Sequence, residues 1–288
     1  MRLATYTWQD SDRVGVVEGD EIVDVSEAAP SMQALIAGGD AALERVRAAA
    51  GRGSRQKLEQ VRLRAPLPRP AKNVFCLGLN YKEHAAEGAR SRGVELRLPE
   101  YPVWFTKAPT SVCGPYDDIA VDAQLSTRND WEVELAFVIG RPARRVPKER
   151  VYDYIHSYTV FNDFSLRDIQ NQRGGQYFLG KSLEGGSPLG PWLVTRDEVP
   201  DPQRLRVVCR VNGTVKQDAN TSDMIFDIPS MVADITRVLT LEPGDVIATG
   251  TPSGVGFART PPEFLKPGDV LETEIESLGL LRNRIVAD

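Results

Sequence analysis

Between Trp131 and Ile139 the chain alternates strictly: Trp131, Val133, Leu135, Phe137 and Ile139 take one side of a two-residue period, and Glu132, Glu134, Ala136 and Val138 take the other. A period of two belongs to a β-strand, whose successive side chains point to opposite faces. The apolar side must be buried, so this strand commits the chain to a sheet with a packed face. The opposite side carries two glutamates that stand roughly 6.5–7 Å apart along the strand. At that spacing their carboxylates can converge on one cation. Set beside Ala136 and Val138 without compensation, they would repel each other and lose solvation. The same pattern also suits a solvated face whose glutamates pair with lysines or arginines.

The rest of the chain extends a strand-rich reading. Asn73–Leu79, Trp104–Lys107, Tyr158–Asn162, Asp245–Ala248, Val270–Glu276 and Leu281–Val286 read as strands, with Pro243-Gly244 and Pro267-Gly268 as turns. Asn212-Gly213 between Leu205–Val211 and Thr214–Gln217 predicts a type I′ hairpin. Helices are expected over Tyr81 to about Arg90, and from Asp227, as a cap, to Leu239 with Pro229 in the first turn. Before them, a β-turn-β pattern (Arg13–Val17, Glu21–Val25) and a helix over Ser31–Ala50, weakened at Gly38-Gly39, form a small unit. Three prolines within Ala65–Pro70 suppress helix and ladder alike. A domain boundary is therefore expected there, with a small N-terminal domain over 1–70 and a main domain over 71–288.

Composition narrows the chemistry. A chain of 288 residues can bury a substantial core, and its formal net charge of −5, with basic residues dispersed, fits neither a nucleic-acid nor a membrane surface. No apolar run approaches transmembrane length and no signal-peptide pattern opens the chain, so a cytoplasmic location is expected. Three cysteines without CxxC spacing indicate neither zinc nor a disulfide framework, and only two histidines are present. Metal chemistry must then rest on carboxylates, which favour hard ions such as Mg²⁺ or Mn²⁺. Asp163 ends the Tyr158–Asn162 strand and can either join the glutamates or cap the helical stretch that follows. His84 and Glu87 are three apart on the first predicted helix and face one side, as a base with its orienting carboxylate or as a surface pair.

Two further matches need context. Gly175 to Ser182 fits the P-loop spacing G-x-x-x-x-G-K-S, but no strand precedes it and Gly185-Gly186-Ser187-Pro188 breaks any helix after it. Lys181 within it stands out as a lone cation whose burial would lower its pKa. Thr249 to Gly256 lacks the nucleophile elbow; it can offer backbone N–H groups or the Thr251 hydroxyl to a carboxylate, or be a plain tight turn.

Seven segments taken in order resemble the fumarylacetoacetate hydrolase superfamily: GLNYKEHAAE (Gly78–Glu87), VWFTKAP (Val103–Pro109), WEVELAFVIG (Trp131–Gly140), FNDFSLRDIQ (Phe161–Gln170), GKS (Gly180–Ser182), SPLGP (Ser187–Pro191) and TGTPSGVG (Thr249–Gly256). The resemblance implies an α+β, β-rich fold, a mixed β-sandwich roll carrying a small N-terminal α/β domain. It places Glu132, Glu134 and Asp163 on metal-ligand positions, His84 and Glu87 on a catalytic dyad, and Lys181 on the active-site lysine. Lys107, Gln170 and Thr251 fall on substrate-contact positions. A homodimer is also implied. The expected activity is Mg²⁺- or Mn²⁺-dependent hydrolysis of a C–C bond in a small 2,4-dioxo acid, giving pyruvate and a carboxylic acid. Isomerisation of a 2-oxo acid, keto–enol exchange or oxaloacetate decarboxylation at the same site are the alternatives.

Overall fold

A computed structural model describes residues 1–288, the side chain of Arg92 excepted. Its spine is a twelve-stranded mixed sheet. The strand Val133–Ile139 lies inside it, antiparallel to Ile155–Asn162 on one side and to Val246–Ala248 on the other. Beyond these lie Ser187–Thr195 in one direction, and Val74–Gly78 then Val103–Lys107 in the other. A second, five-stranded sheet holds the Arg206–Val211/Thr214–Asn220 hairpin with Val270–Ile275, Gly279–Ala287 and Ile119–Val121. The hairpin turn is the expected one, since Asn212 (φ 51°) and Gly213 (φ 76°) are both left-handed.

Val133–Ile139 is buried on both faces, and each face feeds a different core. Val133, Leu135, Phe137 and Ile139 join the cluster shared with the second sheet and the helix Ile228–Val238, through Val207, Leu271, Met231 and Val232. Ala136 and Val138 pack on the other side with Leu35, Ile36 and Val46 of the N-terminal helices. Residues 1–70 are thus joined to the main body by a common core. They also share its sheet, because Arg2–Trp8 pairs with Ser187–Thr195.

Three local differences from the sequence reading have physical causes. The expected helix Ser31–Ala50 is two helices, Met32–Ala37 and Gly39–Ala50, because the chain turns at Gly39 (φ 56°). The first strand, Arg2–Trp8, went unread because Leu3, Ala4 and Tyr6 are all buried and no alternation marks it. Ser187–Thr195 was obscured by Pro188 and Pro191. The sheet accepts Pro191 because the pairing slips between Tyr158 and Val160, where the Thr159 hydroxyl bonds the Gly190 and Trp192 carbonyls at 3.0 and 2.8 Å. No helix among the described residues is long and apolar enough to cross a membrane.

His156, at the far end of the Ile155–Asn162 strand, is 5% exposed, and burial pushes its pKa down to about 4 from 6.5. Between those values the unfolded chain binds a proton that the fold refuses, so stability falls as pH drops from about 6.5 towards 4. His156→Gln should remove this share, about 2–3 kcal/mol by pH 4.5. Urea unfolding of both proteins at pH 7.5 and 4.5 reads the difference; equal losses would refute it.

Candidate metal and active site

The register of two neighbouring strands assembles the acidic centre. Val133 lies opposite Asn162, so one step further brings Glu132 opposite Asp163, and the Asp163 N–H donates to the Glu132 carbonyl at 2.9 Å. Residues directly opposite in an antiparallel pair share a face, as do residues two apart on one strand. Glu132, Glu134 and Asp163 therefore project together, all at least 95% buried, with one oxygen of each within 4.8 Å of the others.

Three buried cations surround them. Lys181 Nζ donates to Glu132 Oε2 at 2.5 Å and to Asp163 Oδ2 at 2.8 Å. Arg167 donates to Glu132 Oε1 at 2.5 Å, to Asp130 Oδ2 at 2.7 Å and to Gln170 Oε1 at 3.0 Å. Lys107 Nζ donates to Asp163 Oδ1 at 2.5 Å and to the Phe164 carbonyl at 3.0 Å. Counting Asp130, four buried carboxylates face three buried cations. The shortfall falls on Glu134, whose one hydrogen-bond donor is the Gly250 N–H at 2.9 Å. Burial, then the charges of Asp163 and Glu132, raise the Glu134 carboxyl well above the usual range. Burial also acts to raise Glu132, but Lys181 and Arg167 override it and hold that carboxyl well below the usual range.

The sequence expectation for Lys181 is corrected here. Its burial does act to lower the ammonium pKa, but Asp163 and Glu132 outweigh it and the net shift is upward. Lys181 is a fixed positive charge and not a neutral amine. Lys107 also departs from its expected place: it is fully buried behind Asp163 and does not line the cavity.

Above the carboxylates is a cavity of about 60 Å³, lined in part by His84, Glu132, Glu134, Arg167, Gln170, Lys181 and Thr251, with Phe105, Tyr177 and Phe257 as apolar wall. His84 and Glu87 ride on the helix Lys82–Arg92, where His84 Nδ1 lies 2.9 Å from Glu87 Oε1. Glu87 also accepts the Gly254 N–H, at 2.9 and 3.1 Å to its two oxygens. Gly254 has φ +103°, and a Cβ there would collide with the Lys216 carbonyl, so the loop can come this close only as glycine. The Thr249–Gly256 loop thus does present backbone N–H groups to carboxylates, those of Glu134, Glu87 and Asp130. The Thr251 hydroxyl is turned inward, donating to the Val133 carbonyl and accepting from Gln217.

The P-loop spacing has no P-loop structure. Gly175 precedes a five-residue helix, Tyr177–Lys181, that contains Gly180, with Tyr177, Phe178 and Leu179 exposed. Sequence reasoning missed Arg167 and Asp130. Arg167 was within reach, three residues before Gln170 on one helix and so on the same side; Asp130 precedes the alternating segment and carried no pattern.

The donor set fits a divalent cation. It consists of hard carboxylate oxygens, close enough to share one ion, and it lacks one positive charge. Two clues in the sequence stand beside it: the alternation at Trp131–Ile139 and the strand ending at Asp163.

Known proteins agree with this architecture. Oxaloacetate tautomerase YisK of Bacillus subtilis is 45% identical over 228 residues, which is 79% of this chain and 74% of the relative. The structure of a fumarylacetoacetate hydrolase from Exiguobacterium antarcticum superposes with a TM-score of 0.86 at 36% identity, over the full length of both chains. Maleylpyruvate hydrolase from Sphingobium sp. SYK-6, solved with manganese(II) and pyruvate, superposes with a TM-score of 0.82 at 31% identity, over 100% of this chain and 99% of that one. Residues 73–286 match the domain described as fumarylacetoacetate (FAA) hydrolase, C-terminal, and the chain belongs to that family.

Proposed function

We propose that this chain is a Mg²⁺- or Mn²⁺-dependent enzyme that interconverts the keto and enol forms of oxaloacetate or a closely similar small 2-oxo acid. The observation that carries the reading is a buried carboxylate cluster, one positive charge short, facing a histidine whose Nδ1 is already engaged. The choice among reactions draws on the relatives: a tautomerase at 45% identity, against hydrolases at 36% and 31%.

Glu132, Glu134 and Asp163 would hold the ion, which when bound supplies Lewis acidity and a template for an adjacent carboxylate and 2-oxo group. Lys181 places a permanent positive charge where negative charge develops on the substrate oxygen, without reorganisation. With Nδ1–H directed at Glu87, His84 has the Nε2 lone pair free to take a proton from C3. The same nitrogen returns that proton to the oxygen for the enol, or to C3 for the ketone. Glu87 holds the ring and balances the transient imidazolium. Phe105, Tyr177 and Phe257 supply the apolar part of the wall around the reacting carbon.

A second reading rests on the assembled dyad. His84 with Glu87 equally suits deprotonation of a water that attacks C4 of a 2,4-dioxo acid, the hydrolysis expected from the sequence. Oxaloacetate decarboxylation would draw on the same stabilised enolate. A cytoplasmic homodimer belongs to the same proposal.

Enol oxaloacetate absorbs in the ultraviolet, so the decay of its band with Mg²⁺, Mn²⁺ or EDTA tests the first reading directly. Acceleration that EDTA abolishes, with no pyruvate formed, is expected. Pyruvate and a carboxylic acid from an acylpyruvate, without acceleration of the enol decay, would replace it by the second reading. His84→Ala should lower turnover by about 10²-fold or more while leaving the divalent-ion thermal shift intact.

Glu134→Gln should act in two directions. Without metal it relieves the crowding of like charges, so melting should hold or rise. With Mn²⁺ the stabilisation by the ion should vanish, because a neutral amide is a poor substitute for a hard anionic ligand. Equal Mn²⁺-induced shifts in both proteins would remove Glu134 from the ligand set.

A further inference from the structure

We infer that Asp130 is a positioning residue that sets the catalytic dyad through the Gly254–Phe257 loop. It sits two residues before Glu132 and is fully buried, which at first sight makes it a fourth metal ligand. Its hydrogen bonds exclude that role. Oδ1 accepts the N–H groups of Trp131 at 2.8 Å and Gly256 at 2.6 Å. Oδ2 accepts Phe257 N–H at 3.1 Å and Arg167 Nε at 2.7 Å. Each oxygen has two donors, and none of its acceptor capacity remains for an ion.

Those four bonds join three segments that have no covalent reason to stay together. One is the start of the strand that carries Glu132 and Glu134. Another is the helix Arg167–Gln172, whose Arg167 bonds Glu132 and Gln170 from the same guanidinium. The last is the loop through Gly256, where a Cβ would press on Asp130 Oδ1 and the Glu263 carbonyl. The neighbouring Trp131 Nε1 donates to the Gly254 carbonyl at 3.1 Å, so Asp130 and Trp131 grip the loop on both sides of Val255. Gly254 N–H is in turn the backbone donor to Glu87, which orients His84. The route from Asp130 to the imidazole is therefore a chain of hydrogen bonds through one short loop. Arg167, stacked 4.5 Å from the Phe257 ring, braces the same loop from its other side.

Asp130→Asn keeps the shape but turns one acceptor into an N–H₂ group facing N–H donors, which opens the loop. The inference rests on His84 and Glu87 forming the working dyad, and its test has one arm that needs no turnover. Hydrogen exchange of the Asn variant should quicken about tenfold at the amides of 254–257 and of the helix Lys82–Arg92, while Val133–Ile139 stays protected. In the enol-oxaloacetate assay kcat should fall about 10–100-fold with little change in KM. Added to Glu87→Gln, Asp130→Asn should cost less than about a further twofold, since both break one path.

Faster exchange spread evenly into Val133–Ile139 would reduce Asp130 to a general structural residue and overturn the inference. So would losses that multiply in the double variant, or an unchanged kcat. Should the Asn variant fail to fold, Arg167→Lys, which withdraws one of Asp130's four donors, takes the same measurements and must give the same local exchange pattern. A wild-type protein that leaves oxaloacetate untouched would end the proposed reaction, while the exchange pattern would still decide the role of Asp130.

Discussion

The structure depends on one juxtaposition, Glu132 opposite Asp163 on adjacent antiparallel strands with Glu134 two residues along. Bringing three carboxylates into a dry interior is expensive, and almost everything nearby can be understood as an answer to that cost. Lys107, Arg167 and Lys181 are buried because these charges need partners, and their hydrogen bonds to the carboxylates span 2.5–2.8 Å. The Gly250 N–H serves the one carboxylate without a cation. Burial and its acidic neighbours disfavour the charged form of Glu134, and a cation placed among these acids would relieve that cost.

In the proposed function the same cations also serve an anionic substrate. Once a divalent ion joins the cluster, the balance of four carboxylates and three side-chain cations turns positive by one. The proposed 2-oxo acid would bring the carboxylate that neutralises it. In the proposed reaction Lys181, whose pKa its acidic neighbours raise, serves as fixed charge, and proton transfer falls to the His84 imidazole.

Much of this was legible in the sequence, for reasons that differ by element. The strand Val133–Ile139 was readable because its two faces carry different residue types, although both are buried. The hairpin at Asn212-Gly213 was readable because few dipeptides adopt two left-handed conformations in a row. The three metal-site acids, the His84–Glu87 pair and Lys181 were each visible as patterns, and the family resemblance gave them a common purpose. What escaped depended on contacts between distant segments. Ser187–Thr195 hides behind prolines that are tolerated only where its partner strand slips. The direction of the Lys181 pKa could not be known before Glu132 and Asp163 were seen to flank it. Lys107 was expected to contact substrate, yet its buried ammonium pairs with Asp163.

One consequence follows from where the acids are anchored. Glu134 lies on, and Glu132 and Asp163 directly flank, two strands, the first of which fills two cores at once, so moving these acids would disturb the packing on both sides of that strand. Apart from Leu77, Gly78, Val103 and Phe105 on two edgeward strands, the walls of the cavity come from short helices and loops, among them Lys82–Arg92, Arg167–Lys181 and Gly254–Phe257. A lineage built on this frame can exchange its walls piecemeal and so try new substrates. The ionic centre must be inherited whole, so diversity in such a scaffold accumulates in what is admitted to the site.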